Sequence, residues 1–327
     1  MKAAAFAGLG LVVLVLLFGV ACVRGLRQPT PEVNEPLTPS PVSRTFEVQG
    51  APVTIHVLHT GWVSVKEAHR TLGGPDATRV LSILTDSRWT EWMPVFTFAI
   101  VHTEGVWLVD AGLSEATLDF GSACDPGNEF VYQNLLRFRF EPAQRVDRQL
   151  LALGVPLERV RGVVFTHRHA DHTDAFNELP ASVTAFVGAK DWPSHNGALP
   201  CRWPSERTPV LVEDSGEPFG AFPHSRPLTS DGRLRIIPLT GHSPGHLGAM
   251  LTLDDGRAVL FAGDSTFSVE QVSTGTIAGI SEVPERARRS LALIAAQLDA
   301  APTFLLPAHD SASLRRFIAD EKTVLLR

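Results

Sequence analysis

Apolar and polar positions alternate along this chain in short runs, and the runs predict many strands separated by few helices. Residues 53–58 alternate well enough for a first strand. Residues 95–102 and 106–109 read as a strand pair turning at Glu104-Gly105. The run at 160–166 is β-branched and apolar, as a buried strand requires, and 183–187 is a shorter one. Strands follow at 234–239, 248–253, 258–261 and 303–306, with a hairpin signal at Asp254-Asp255-Gly256. Helical spacing takes over twice. Residues 142–153 begin with Pro142, carry Val146, Leu150 and Leu153, and stop at Gly154. A later helix has Ser281 as its cap, Pro284 near its start and an apolar stripe of Leu291, Ile294, Ala295 and Leu298. Periodicity therefore predicts a mixed α/β core. Residues 114–140 and 190–222 show no clear period and read as loop-rich segments able to cover a pocket. The second holds Trp192, His195 and Trp203, with His224 just beyond it, and for these local packing is the first expectation.

The N-terminal stretch is different in kind. Residues 3–23 form an uncharged apolar run long enough to span a bilayer, preceded by Met1-Lys2. The run ends in Gly19-Val20-Ala21-Cys22, similar to a lipoprotein cleavage box. A secretory signal, a lipid anchor and an uncleaved helix all fit, so membrane association or export is expected. Residues 28–43 contain five prolines and read as an extended spacer. The expected organisation is an apolar signal or anchor over 1–27, a linker over 28–45 and one catalytic domain over 46–327. A net charge of −6 without a basic block argues against a nucleic-acid partner. Of three cysteines, Cys124 and Cys201 fall in the folded part. They can pair in an oxidising compartment and are otherwise ordinary thiols.

The chemistry is concentrated where strands run out. After the strand at 160–166 comes His167-Arg168-His169-Ala170-Asp171-His172, three histidines and an aspartate within six residues. Imidazole and carboxylate suit zinc and similar divalent ions. On extended backbone His167 and His169 point the same way and can grip one ion. Asp171 and His172 lie beyond and can reach a second. Later strands end in His242, Asp264 and His309, and the first strand pair ends in Asp110.

This order of motifs resembles the metallo-β-lactamase superfamily, and the likeness extends from about Pro52 to about Phe317. The resemblance implies an αβ/βα sandwich, two mixed sheets packed face to face with helices outside. It implies two divalent metal ions, zinc by default: one held by His167, His169 and His242, the other by Asp171, His172 and His309, with Asp264 bridging. Asp110 and His246 would support these ligands by hydrogen bonds. A hydroxide shared by the metals would then attack a carbonyl or phosphoryl centre. Within the superfamily the Gly-His-Ser-Pro-Gly-His loop and the Ala-Gly-Asp acid are closest to N-acyl homoserine lactonases, which implies a small ester or lactone substrate. Those lactonases carry a substrate-contacting tyrosine three residues after the bridging aspartate. Here that position is Phe267, and the only tyrosine, Tyr132, is expected in an unrelated loop. The same ligands would serve a glyoxalase-II-like thioesterase or other ester hydrolase, or an iron persulfide dioxygenase. A membrane-tethered binding protein would not need all seven.

Overall fold

The computed structural model describes residues 40–325. The apolar run at 3–23 and most of the proline-rich spacer lie outside them. Among the described residues no helix is long and apolar enough to cross a membrane.

Among the described residues thirteen strands form two sheets. The first contains β1 (Val42–Val48), β2 (Ala51–Val65), β3 (Met93–His102), β4 (Gly105–Val109), β5 (Leu136–Arg139), β6 (Val160–Val164), β7 (Thr184–Gly188) and β8 (Val210–Val212). Its order is β1-β2-β3-β4-β6-β7-β8, with β5 added against β2. The second contains β9 (Arg226–Pro227), β10 (Leu234–Pro238), β11 (Leu247–Thr252), β12 (Ala258–Gly263) and β13 (Thr303–Pro307), in the order β13-β12-β11-β10-β9. The helices that matter below are α1 (Glu67–Arg70), α2 (Pro126–Leu135), α3 (Val146–Ala152), α4 (Ala170–Thr173) and α5 (Pro284–Ala300).

Alternation along each strand builds the layers, because neighbouring side chains face opposite ways. Val57, Phe98 and Val109 from the first sheet meet Val259, Phe261 and Phe304 from the second in one buried cluster. Their neighbours Leu58, Ala99 and Leu108 face outward and pack under Val146 and Leu150 of α3. On the far side Leu260 and Ala262 pack under Ala287, Leu291 and Ile294 of α5. The result is the αβ/βα sandwich.

Several elements differ from the sequence reading. The first described strand, β1, starts at Val42, within the stretch read as spacer, because residues 42–48 pair with 51–57 as a hairpin. The helix expected at 142–153 is split: a 3₁₀ turn covers Pro142–Gln144, and the α-helix starts only at Val146. Ser281 does not cap α5; the cap position is Val283, without a side-chain bond. Ser281 instead lies buried, and its amide donates to Ala278 O at 3.1 Å. Residues 114–140 are more regular than a loop, since Asp125 caps α2 by accepting from the Gly127 and Asn128 amides. A disulfide joins Cys124 to Cys201 and so ties this segment to the second loop-rich one.

Candidate active site

All ligand candidates sit at strand C-termini on one edge of the sandwich. β4 and β6 run parallel and deliver Asp110 and the 167–172 motif from the first sheet. β12 and β13 run parallel and deliver Asp264 and His309 from the second, while the loop after β10 brings His242. The seam is closed by backbone bonds: Leu247 N donates to Thr166 O at 2.7 Å and Phe96 N to Ala308 O at 2.9 Å.

Three imidazoles converge first. His167 Nε2 lies 2.8 Å from His169 Nδ1, and His242 Nε2 lies 3.2 Å and 3.4 Å from those two atoms. Burial pushes all three rings well below the usual histidine range, so each presents a lone pair. Ligands about 2.05 Å from a tetrahedral ion would lie roughly 3.3 Å apart, close to the observed separations. The residues fit a divalent ion. His169 is oriented for it: its Nε2 donates to Asn196 O at 3.1 Å, which leaves Nδ1 free.

The second group lies beside the first. His309 Nε2 is 3.5 Å from Asp171 Oδ2 and 3.2 Å from Asp264 Oδ1. His172 Nε2 is 3.6 Å and 3.5 Å from the same two oxygens and has no hydrogen-bond partner. Asp264 Oδ2 faces the other way, 3.7 Å from His242 Nε2. One carboxylate thus spans both groups. Burial alone would raise its pKa, but His309 and His172 outweigh burial and hold it well below the carboxylate range. Burial raises Asp171, against the pull of His172 and His309. Burial opposes charge on His172 too, yet Asp110, Asp171 and Asp264 together lift it to about 10. His309 is also raised, by Asp264 and Asp171 against burial. A divalent ion entering here must displace those protons, so its affinity rises with pH.

Asp110 sets the orientation of His172, whose Nδ1–H donates to Asp110 Oδ2 at 2.8 Å. The same carboxylate accepts from the Thr166 amide at 2.7 Å and its hydroxyl at 2.9 Å. It does so from a left-handed backbone, φ 62°, which aspartate tolerates better than most residues. Asp110→Asn keeps the shape and removes the charge. Metal affinity should fall about 10- to 100-fold in a competitive chelator titration, with an unchanged circular dichroism spectrum. Wild-type affinity would show that Asp110 only supports the turn.

His246 takes no place among the converging nitrogens. Its Nε2 accepts from the Asp264 amide at 3.2 Å, and its Nδ1 lies 3.1 Å from Ser265 Oγ. It fixes the Asp264 backbone. His309 Nδ1 donates to Pro94 O at 2.7 Å, which aims Nε2 inward.

A cavity opens over this centre. Its walls include Val63, Val65, Met93, Leu136, Phe138 and Ile280, and its floor includes His169, Asp171, Asp264 and His309. Phe267 lines it as well, stacked on His309 at 5.5 Å between ring centroids. Tyr132 needs a correction. It lies on α2, not in an unrelated loop, and it lines the cavity. Its hydroxyl is engaged, donating to Gly197 O at 2.8 Å and accepting from the Ala170 amide at 3.1 Å. From the second loop-rich segment Asn196 and Gly197 reach the cavity. His195 instead accepts from the Arg168 amide at 3.1 Å and meets Glu282 at 3.0 Å. Trp192 and Trp203 flank the Arg168 guanidinium, which makes them packing residues. His69 of α1, which the sequence reading passed over, also lines the cavity. Burial pushes its pKa down to about 4, against a smaller opposing pull from Asp264.

The site gathers histidines and aspartates fit to hold divalent ions at the edge of a two-sheet sandwich, and comparison with known proteins places that fold and chemistry in a family. The metallo-β-lactamase superfamily profile matches residues 90–311. A probable metallo-hydrolase of Mycobacterium tuberculosis is 30% identical over 260 residues, covering 76% of this chain and 72% of its own. The N-acyl homoserine lactonase AttM of Agrobacterium fabrum is 26% identical over 197 residues, 54% of this chain and 67% of its own. A solved N-acyl homoserine lactone hydrolase, with N-hexanoyl-L-homoserine at its catalytic metal centre, superposes with a TM-score of 0.64. That match covers 80% of this chain and 94% of the other at 15% identity, and so speaks to the fold. The chain belongs to the metallo-β-lactamase superfamily. Its enzyme class is metallo-hydrolase.

Proposed function

We propose that the protein hydrolyses a small ester or lactone with an apolar acyl part, using two divalent ions, zinc by default. The observation that carries this reading is the pairing of a doubly faced Asp264 with an apolar wall above it. Two bound ions supply a lowered pKa for water and polarisation of the scissile carbonyl. His167, His169 and His242 would hold one, and Asp171, His172 and His309 the other. The chain's own part is orientation. Asp110, Asn196 O and Pro94 O fix three imidazoles, and the apolar wall excludes water from the acyl group. The kinship with AttM supports a lactone. Before the folded domain, residues 3–23 would deliver the protein to or across a membrane, a reading the Cys124–Cys201 bridge supports.

The test is a substrate panel of acyl homoserine lactones, aryl esters and thioesters run on protein with measured metal content. Two ions per chain and turnover of a lactone or ester are expected. A protein that binds no zinc or manganese at neutral pH would sink the reading. Phe267 probes the substrate class within it. Its ring can donate nothing to a carbonyl oxygen, and a lost donor of this kind costs about a hundredfold in rate. Phe267→Tyr should raise kcat/KM for the lactone more than for the aryl ester. A flat or falling lactone rate, with metals intact, would assign the natural substrate to the other esters or thioesters.

A further inference from the structure

Every polar side chain that lines the cavity must be accounted for. His169, Asp171, Asp264 and His309 belong to the ligand cluster. The Tyr132 hydroxyl is spent on Gly197 and Ala170, and the Asn196 amide donates to Glu282 Oε2 at 2.6 Å. His69 remains. It is 7% exposed, and its Nδ1 is buried without a hydrogen-bond partner. A buried polar nitrogen left unpaired costs free energy, and natural structures rarely leave one without a ligand, a water or a catalytic role.

The backbone around His69 is held firmly. Its carbonyl accepts from the Ile280 amide at 3.2 Å, and Leu72 N donates to Ile277 O at 2.9 Å. Gln271 links it to the opposite wall. Gln271 Nε2 donates to Arg70 O at 2.8 Å, while Gln271 Oε1 accepts from Phe267 N at 2.8 Å. One glutamine therefore fixes α1 relative to the phenylalanine stacked on His309. α1 has four residues, too short for its helix end to bind anything.

We propose that His69 is a substrate-contacting residue of this hydrolase, its imidazole N–H donating a hydrogen bond to the carbonyl oxygen of the bound ester or lactone. A neutral imidazole has one donor and one acceptor, and no ion is required of it. It lines the same cavity as Asp264 and His309, over which charge would develop on the oxygen during attack. The proposal rests on the hydrolase reading above.

The experiment compares His69→Phe and His69→Gln with wild type as metal-loaded enzymes, on an acyl homoserine lactone and an aryl ester. His69→Phe keeps the ring volume without nitrogen and should lose about a hundredfold in kcat/KM. His69→Gln carries an amide donor and should recover part of that loss. Metal content and Tm should match wild type in both. In wild type, the ring ¹⁵N resonances of His69 should shift when the hydrolysis product is added. That measurement decides the case if His69→Phe does not fold. Rates within threefold of wild type in His69→Phe, or unmoved resonances, overturn the assignment and leave the hydrolase standing. Equal losses in both variants together with metal loss assign His69 a structural role. If loaded wild type turns over no ester or lactone, the hydrolase reading itself fails and this proposal falls with it.

Discussion

Asp264→Asn should lower kcat/KM by about a thousandfold or more while the protein stays folded. The side chain is the one group that faces both halves of the centre: Oδ2 toward His242, Oδ1 toward His172 and His309. Asparagine keeps the size and one carbonyl oxygen. It lacks the charge, and its amide nitrogen cannot ligate as a carboxylate oxygen does. On the two-metal mechanism proposed above, several kcal/mol of carbonyl polarisation and water activation would depend on that arrangement, which sets the expected loss. The metal-free protein gives an independent reading. Because Asp264 is held well below its ordinary pKa, it stabilises the fold above the unfolded carboxylate range and loses that effect as pH falls through its folded value. Asp264→Asn should therefore lower the metal-free Tm at neutral pH and matter least in strong acid. Turnover near wild type, with both ions bound, would refute the bridging role.

Gly188→Ala should be strongly damaging although it lies outside the centre. Gly188 ends β7, and a Cβ there would lie 1.8 Å from Gly245 O and 2.6 Å from its carbon. Both obstacles are backbone, so no side chain can swing aside. Gly245 sits in the 241–246 loop that carries His242. Asp191 holds that loop from the first sheet, accepting from Ser243 Oγ and from Gly245 N, each at 2.5 Å. The added methyl must push the loop away and break these bonds. Overpacking against fixed backbone costs about 3 kcal/mol, which for a domain of this size is roughly 5 °C in Tm. Metal content should fall in step, because His242 moves with the loop. Thermal melts with and without zinc check both parts. A variant with wild-type Tm and full metal content would mean the two backbones can separate freely.

Much of this site was legible because its ligands are tied to local pattern. An apolar run marks a strand, and the loop where that run ends marks the edge of the sandwich. His167, Asp264 and His309 all follow that rule. His69 does not. It sits on a single helical turn with no periodic signal, held by contacts to residues some 200 positions later, such as Gln271 and Ile280. Tyr132 was misplaced for a related reason. α2 could be read from Asp125 and Pro126 as a cap and first turn, but its meeting with Gly197 is tertiary. The length of β2 was also hidden. Its later half, through Val65, is buried on both faces, and alternation disappears there.

The candidate ligands are divided between two sheets, four residues from one and three from the other, and no disulfide in the described structure spans that division at the centre. The distance between the halves is set by the backbone bonds at the seam and by the aromatic layer beneath, where Phe98 meets Phe261 at 5.0 Å and Phe46 meets Phe304 at 6.1 Å. That layer is the molecule's ruler. A residue that thins or thickens it changes the gap between His172 and His242 without touching either. Variation among relatives in these buried rings would then retune the metal pair from below, and sequence drift in the core becomes a route to new substrate preference.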